Sequence, residues 1–279
     1  MTTSPSTTLP TTAILGAGSM GGAILAGMLA PSVTVSGGIR VTNRTEAKAA
    51  AVRAPGVESL ATETVADANI RAVRGARIVI VGVKPHMVAE LLSEIAPHLE
   101  PDAVVVSVAA GVAIETMEAV VTGSVLRAMP NTPSTIGLGV TGLSGGTRSS
   151  DDDIAVVTRL FETVGSVVPV PETQIDALST ISGSGPAYVF FLVEQLTRAA
   201  VGLGFTREQA DTMVVGTFRG ASELLARSGE PADELRRRVT SPNGTTERAI
   251  AVLETADLAD VFDRATAAAL ARAVELSKG

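Results

Sequence analysis

The chain has 279 residues, 46% of them hydrophobic, a length that suits two domains or one large one with an ample buried core. Its 22 Lys and Arg against 29 Asp and Glu leave a net charge of −7, which argues against a nucleic-acid or anionic-membrane partner; Arg236-Arg237-Arg238 is the one basic cluster. With no cysteine, disulfides, thiolate catalysis and Cys-ligated metals are excluded and a reducing cytoplasm fits, and with only His86 and His98 no metal centre is expected.

Residues 1–11, rich in Ser, Thr and Pro, read as a disordered tail. The first strand is predicted at Thr12–Leu15 and runs straight into Gly16-Ala17-Gly18-Ser19-Met20-Gly21 and a helix over Gly21–Ala30. That is the strand-to-helix pattern of a dinucleotide pyrophosphate site: the first Gly permits the tight turn, the second lets backbone N–H groups approach the phosphates, and the third lets the helix pack on its strand. The first charged residue is Arg40, so the stretch also invites a signal peptide or membrane span. The missing basic n-region and five glycines between Ala13 and Ala30 count against both.

A second strand, Ile39–Thr42, follows at the spacing the fingerprint requires. An NAD-preferring site usually has Asp or Glu at its end, whereas Asn43-Arg44-Thr45 stands here. Arg44 suits a 2′-phosphate, with Asn43 and Thr45 as further donors, and points to NADP. Further strands are expected at Arg77–Val81, Ala103–Ser107, Ser124–Ala128, Leu138–Leu143 and Val167–Val170. Helices alternate with them at Glu46–Arg53, Thr64–Val73, Met87–Ala96, Ile114–Val121 and Asp151–Val164, so that residues 12–170 read as a doubly wound parallel sheet of the Rossmann type. Lys84, one of three lysines, closes a buried strand on the side where such sheets bind ligands, which suggests a place near the nicotinamide ribose. The small residues of Ser107–Gly111 and Met129–Pro133 end two more strands and suit either a flat cofactor or ordinary turns.

After Pro171 the strand signals stop, and residues 171–279 are expected to form an all-helical domain: Gly185–Leu203, Thr206–Ser228, Ala232–Thr240, Thr245–Thr255 and Leu258–Ser277. The helix from Pro186 is apolar almost all round, more than so small a domain can cover, so a homodimer built through the helical domain is expected. Ser182–Tyr188 and Ser241–Thr246 each open a helix with a Gly/Ser-rich turn. Such starts leave free N–H groups suited to a small substrate carboxylate, although either turn also serves as a plain helix cap.

Taken together, GAGSMG, VKPH, SVAAGV, MPNTP, Glu172–Asp176 leading into SGSGPAY, and VTSPNGTTERAIAVLE make the chain resemble the pyrroline-5-carboxylate reductases from about Thr12 to Leu276. The resemblance implies an α/β fold, with an N-terminal Rossmann-type dinucleotide-binding domain followed by an all-helical dimerisation domain, and reduction of the cyclic imine 1-pyrroline-5-carboxylate to L-proline by NAD(P)H. It implies a cofactor site at Gly16, Ala17, Gly18, Ser19, Met20, Gly21, Asn43, Arg44, Asn69, Val83, Lys84, Pro85, Ala110 and Gly111, to which the reading of the second strand's end adds Thr45. It implies a substrate site at Glu172, Ser241, Gly244, Thr245 and Thr246, with the Thr246 hydroxyl on the ring nitrogen. Two positions depart from the family pattern: Asn243 stands where many members have Gly, and Arg238 where a smaller amide occurs.

A β-hydroxyacid dehydrogenase shares this outline but needs a base, commonly a Lys on the long helix after the Gly-rich turn, and no Lys lies between Lys84 and Lys278. A catalytically silent NADP-binding scaffold is the other alternative. Turnover of the cyclic imine with NADPH separates the three.

Overall fold

The computed structural model describes residues 6–278. Ten strands are present: β1 (Thr7–Leu9), β2 (Thr12–Leu15), β3 (Val33–Val35), β4 (Ile39–Asn43), β5 (Val57–Ala61), β6 (Ile78–Val81), β7 (Val104–Ser107), β8 (Ser124–Met129), β9 (Gly139–Gly145) and β10 (Gly165–Pro169). Six helices accompany them, α1 (Ser19–Met28), α2 (Glu46–Ala51), α3 (Ala68–Val73), α4 (Val88–Ile95), α5 (Ile114–Glu118) and α6 (Asp151–Phe161). Eight strands form one sheet in the order β10-β9-β8-β7-β6-β2-β4-β5.

The strand sequences explain this sheet. Along β2, β6 and β7 the side chains alternate between two cores: Ile14, Ile80 and Val106 face one, and Leu15, Val79, Val81 and Val105 the other. Strands buried on both faces need helices on both faces, which is why these runs read as almost continuously apolar. The order reverses at β2, between β4 and β6, and places the switch point of the sheet at the end of β2.

Three differences from the sequence expectations have physical causes. Residues 1–5 of the expected tail lie outside the described residues, but Thr7–Leu9 form a strand that pairs in parallel with β3, held by the fully buried Leu9. Strand β5 escapes the pattern because Val57-Glu58-Ser59-Leu60-Ala61 is an edge strand, and its Glu58 meets Arg40 and Arg71 along that edge. The sheet is not wholly parallel: β8 and β9 pair antiparallel, since the connection from Met129 to Gly139 holds a short 3-10 turn and is too short for a crossover helix. Helix α6 then supplies the crossover that returns β10 parallel to β9.

Helix α6 is fixed at its start by a reciprocal cap in which Ser150 Oγ accepts the Asp153 N–H and Asp153 Oδ2 accepts the Ser150 N–H. Arg77, at the foot of β6, reaches Asp153 Oδ1 at 2.6 Å. Burial alone would raise the Asp153 carboxyl; the hydrogen bonds from Ser150 and Arg77 outweigh it and hold the group below its ordinary range.

After β10 the chain makes α7 (Ile175–Leu178) and a π-helical turn, Ser179–Gly183, in which the Ser184 N–H reaches back to the Ser179 carbonyl at 2.9 Å. The described residues up to Ser184, with those from Leu270 onward, form one compact unit, and Gly185–Ala269 form the other. The second unit is all-helical: α8 (Gly185–Gly202), α9 (Arg207–Ser228), α10 (Ala232–Arg238), α11 (Thr245–Glu254) and the beginning of α12 (Leu258–Lys278). Its interior is thin. Among its described residues only Thr197, Ala210 and Val214 are buried, while Phe190 is 68% and Leu203 80% exposed. A unit with so little interior has no adequate core of its own.

Candidate active site

The expected cofactor residues fall together in the sheet unit, at the carboxyl ends of the neighbouring strands β4, β2, β6 and β7. Each glycine of the first turn has a separate task. Gly16 has φ +86°, and a Cβ there would lie 2.9 Å from Val83 Cγ1. A Cβ on Gly18 would meet nothing within 4 Å, so this backbone stands open to an incoming group. A Cβ on Gly21 would come within 3.1 Å of the Gly16 carbonyl and 3.3 Å of Ile14, which is the close helix-to-strand packing. Helix α1 begins at Ser19 and runs through Met20 with no side-chain cap and no acid in its first turn, so its N–H groups face outward with their partial positive charge uncompensated. A cradle of this kind fits a dinucleotide pyrophosphate.

At the end of β4, Arg44 is exposed and its side chain makes no hydrogen bond or ion pair among the described residues. Its neighbours are committed to local structure: Asn43 is buried with Nδ2 3.5 Å from the Lys48 carbonyl, and Thr45 caps α2 by accepting the Lys48 N–H at 3.4 Å. Asn69 is used on both sides, accepting from Thr42 Oγ1 at 2.8 Å and donating to Glu94 Oε2 at 3.0 Å. After β6, Val83 is half-buried against the Gly16 turn, and Lys84 and Pro85 are exposed, Lys84 without a side-chain partner. After β7, Ser107 Oγ accepts the Ala109 N–H, and Ala110 and Gly111, the latter at φ +75°, form the open turn.

In the helical unit, α11 begins at Thr245 without a side-chain cap, and the N–H groups of Thr245 and Thr246 have no partner among the described residues. The Ser241 and Thr246 hydroxyls are likewise unpartnered there. The preceding turn is shaped for this. The Gly244 N–H binds the Ser241 carbonyl, to which a Cβ on Gly244 would approach within 2.9 Å. Asn243 adopts φ +59° and its N–H donates to Glu247 Oε2 at 2.9 Å. That left-handed conformation accounts for the departure noted in the sequence, since asparagine tolerates it better than other residues with a Cβ. Arg238 is occupied elsewhere, forked onto Glu230 at 2.6 and 2.8 Å and bonded to Glu234. Hydrogen bonds from Arg237 and Arg238 hold the Glu234 carboxyl below its ordinary range.

Glu172 lies in the sheet unit, where its Oε1 accepts the Ile114 N–H at 2.6 Å and stands 3.7 Å from Arg127. The sequence reading gives Arg127 no role, and names Asp176 only as the end of the Glu172–Asp176 stretch. A charge in the middle of the apolar strand Ser124–Ala128, with two acids spaced i,i+4 further on, was the available signal, because a buried arginine requires such partners.

Both halves match known proteins. Residues 172–276 match the family described as pyrroline-5-carboxylate reductase dimerisation, and residues 11–111 match NADP oxidoreductase coenzyme F420-dependent. A pyrroline-5-carboxylate reductase of Corynebacterium melassecola is 37% identical over 97% of this chain and 100% of its own length. The chain belongs to the pyrroline-5-carboxylate reductase family. The structure of a pyrroline-5-carboxylate reductase from Coxiella burnetii has a TM-score of 0.88 at 35% identity, over 96% of this chain and 98% of that one. The reductase fold is shared at 24% identity by a Plasmodium falciparum pyrroline carboxylate reductase solved with NADP bound, with a TM-score of 0.80 over 96% of this chain and 98% of that chain. Among the described residues of this family member, no group of His, Asp and Glu could hold a metal ion, and no helix is long and apolar enough to cross a membrane.

Proposed function

We propose that the protein reduces 1-pyrroline-5-carboxylate to L-proline, the last step of proline biosynthesis, in the cytoplasm and with NADPH preferred over NADH. Its full-length likeness to the Corynebacterium melassecola reductase carries this reading. Residues 12–170 serve as the cofactor domain, with Gly16–Gly21 on the pyrophosphate, Arg44 on the 2′-phosphate, and Asn43, Thr45, Asn69, Val83, Lys84, Pro85, Ala110 and Gly111 shaping the rest. Residues 171–279 serve as the substrate and dimerisation domain.

The cofactor, when bound, supplies a hydride to the carbon of the protonated C=N bond, whose electron pair moves to nitrogen. No strong base on the protein is needed, and positioning supplies most of the catalysis. The Ser241 hydroxyl and the N–H groups of Thr245 and Thr246 hold the substrate carboxylate, Gly244 lets the turn close, and the Thr246 hydroxyl accepts from the protonated ring nitrogen. Glu172, expected at the substrate site, accepts the Ile114 N–H within the sheet unit. A second copy of the chain covers the apolar faces of α8, α9 and α11, where Phe191 is 59% and Val252 69% exposed. The test is oxidation of NADPH and of NADH in the presence of the cyclic imine: preferential turnover with NADPH supports the reading, and faster turnover with NADH removes the assignment of Arg44.

A further inference from the structure

The carboxyl end of β8 holds two polar side chains that hydrogen-bond neither to the glycine turn nor to Arg44 or Lys84. Arg127 is 4% exposed; its Nη2 donates to Asp176 Oδ1 at 2.5 Å, its Nη1 lies 3.7 Å from Glu172, and its buried Nε has no partner among the described residues. Asn131, four residues on and 7% exposed, accepts the Val140 N–H at 2.8 Å and donates from Nδ2 to the Ser182 carbonyl at 2.9 Å.

The two contacts grip the same stretch of chain. Asp176 lies in α7 and Ser182 in the π-helical turn that follows, and within Glu172–Ser184 only Ile175 and Thr180 are buried. A segment with so little apolar burial is held in place by its polar contacts. π turns are rare and recur at functional sites, and this one ends at Gly183, with only Ser184 between it and Gly185, the first residue of α8.

We propose that Arg127 and Asn131 are positioning residues, a two-point anchor that fixes the π turn at the carboxyl edge of the sheet, and that hydride transfer depends on the turn being held there. The hydrogen bonds of both side chains go to the protein itself, to Asp176, the Val140 N–H and the Ser182 carbonyl. The anchor acts through geometry, and small misplacements of reacting groups cost rate far more than they cost cofactor binding. The proposal rests on the reductase reading, so wild-type turnover of the imine in the same assay distinguishes failure of that reading from failure of the anchor.

Asn131→Asp tests it most cleanly, because the carboxylate keeps an acceptor for the Val140 N–H and loses the donor to Ser182. Asp176→Asn, which keeps shape while weakening the Arg127 pair, serves as the second variant should the first not fold. For each, kcat, the KM for the imine, the Kd for NADP+ and the melting temperature are measured. The expected result is a kcat lower by about tenfold or more with the Kd for NADP+ within about threefold of wild type, and a larger isotope effect on kcat with NADPH deuterated at the transferred hydrogen. An unchanged kcat in a variant with lowered melting temperature overturns the proposal by making the contacts purely structural. A Kd for NADP+ that rises in proportion to the loss of kcat also overturns it, by placing the residues in cofactor binding.

Discussion

Gly16 and Val83 stand so close, at the ends of two neighbouring strands, that a Cβ on Gly16 would lie 2.9 Å from Val83 Cγ1, and Gly16 also holds φ +86°. Gly16→Ala is therefore expected to cost stability twice, about 1–2 kcal/mol for the left-handed backbone and more for the crowding. It should weaken NADP+ binding as well, because the turn aims the N–H groups of α1. Adding Val83→Ala should recover the part of the crowding due to the Val83 side chain and leave the backbone contacts, at 3.1 and 3.2 Å, and the left-handed strain. Melting curves and NADP+ titrations on the single and double variants check both halves; unchanged values for Gly16→Ala contradict the cradle.

Arg44 is exposed at the end of β4 and has no side-chain partner among the described residues, so it is free for a 2′-phosphate. Arg44→Ala should raise the KM for NADPH about tenfold or more, the weight of one charge-assisted contact, and leave that for NADH nearly unchanged. Equal weakening of both cofactors would remove the 2′-phosphate role.

Thr246 sits in the first turn of α11 with its hydroxyl unpartnered among the described residues. Thr246→Val keeps the shape, and kcat/KM for the imine should fall by about ten- to a hundredfold, roughly 1.4–2.7 kcal/mol, with NADPH binding unaffected. A normal kcat/KM in a variant with lowered melting temperature would reduce Thr246 to a helix-start residue.

The exposed apolar faces of the helical unit call for a second copy. Light scattering at micromolar concentration should give at least a dimer. Phe191→Asp should yield unfolded or aggregated chain, since an unpaired charge in a desolvated contact costs several kcal/mol. A stable, folded monomer for the wild-type chain contradicts the assembly.

Asp153 is held below its ordinary value of 3.8 in the folded chain, despite its burial, by Ser150 and Arg77. Its contribution to stability is therefore present above that value and lost as pH falls through the lower, folded-state one. Asp153→Asn should destabilise the protein by about 1–2 kcal/mol at neutral pH, with the difference from wild type narrowing on acidification below pH 3.8. Denaturant titrations at the two pH values check this; a difference that grows on acidification would contradict it.

The sequence carried the dinucleotide turn plainly, because each glycine there answers a separate steric demand that alternation and spacing expose. It carried α8 as plainly, since Val189, Phe190, Phe191 and Leu192 put apolar side chains all round the first half of that helix. The antiparallel β8–β9 pair was hidden because strand direction follows from the length of the Met129–Gly139 connection and not from the strand residues. The Arg127–Asp176 and Asn131–Ser182 contacts were hidden for a related reason: each joins residues about fifty positions apart, and no local pattern announces a long-range partner. Thr45 reads from sequence as a hydrogen-bond donor to the cofactor; what no sequence pattern showed is that its hydroxyl oxygen also caps α2 by accepting the Lys48 N–H.

The most direct measurement follows the label. The protein is incubated with 1-pyrroline-5-carboxylate and NADPH carrying deuterium at the transferred position, and the product is examined by NMR. L-Proline with one deuterium on the ring carbon that formed the C=N bond is the expected result. Absence of labelled proline from folded, NADP-binding protein would contradict the reductase reading and leave a nucleotide-binding scaffold in its place.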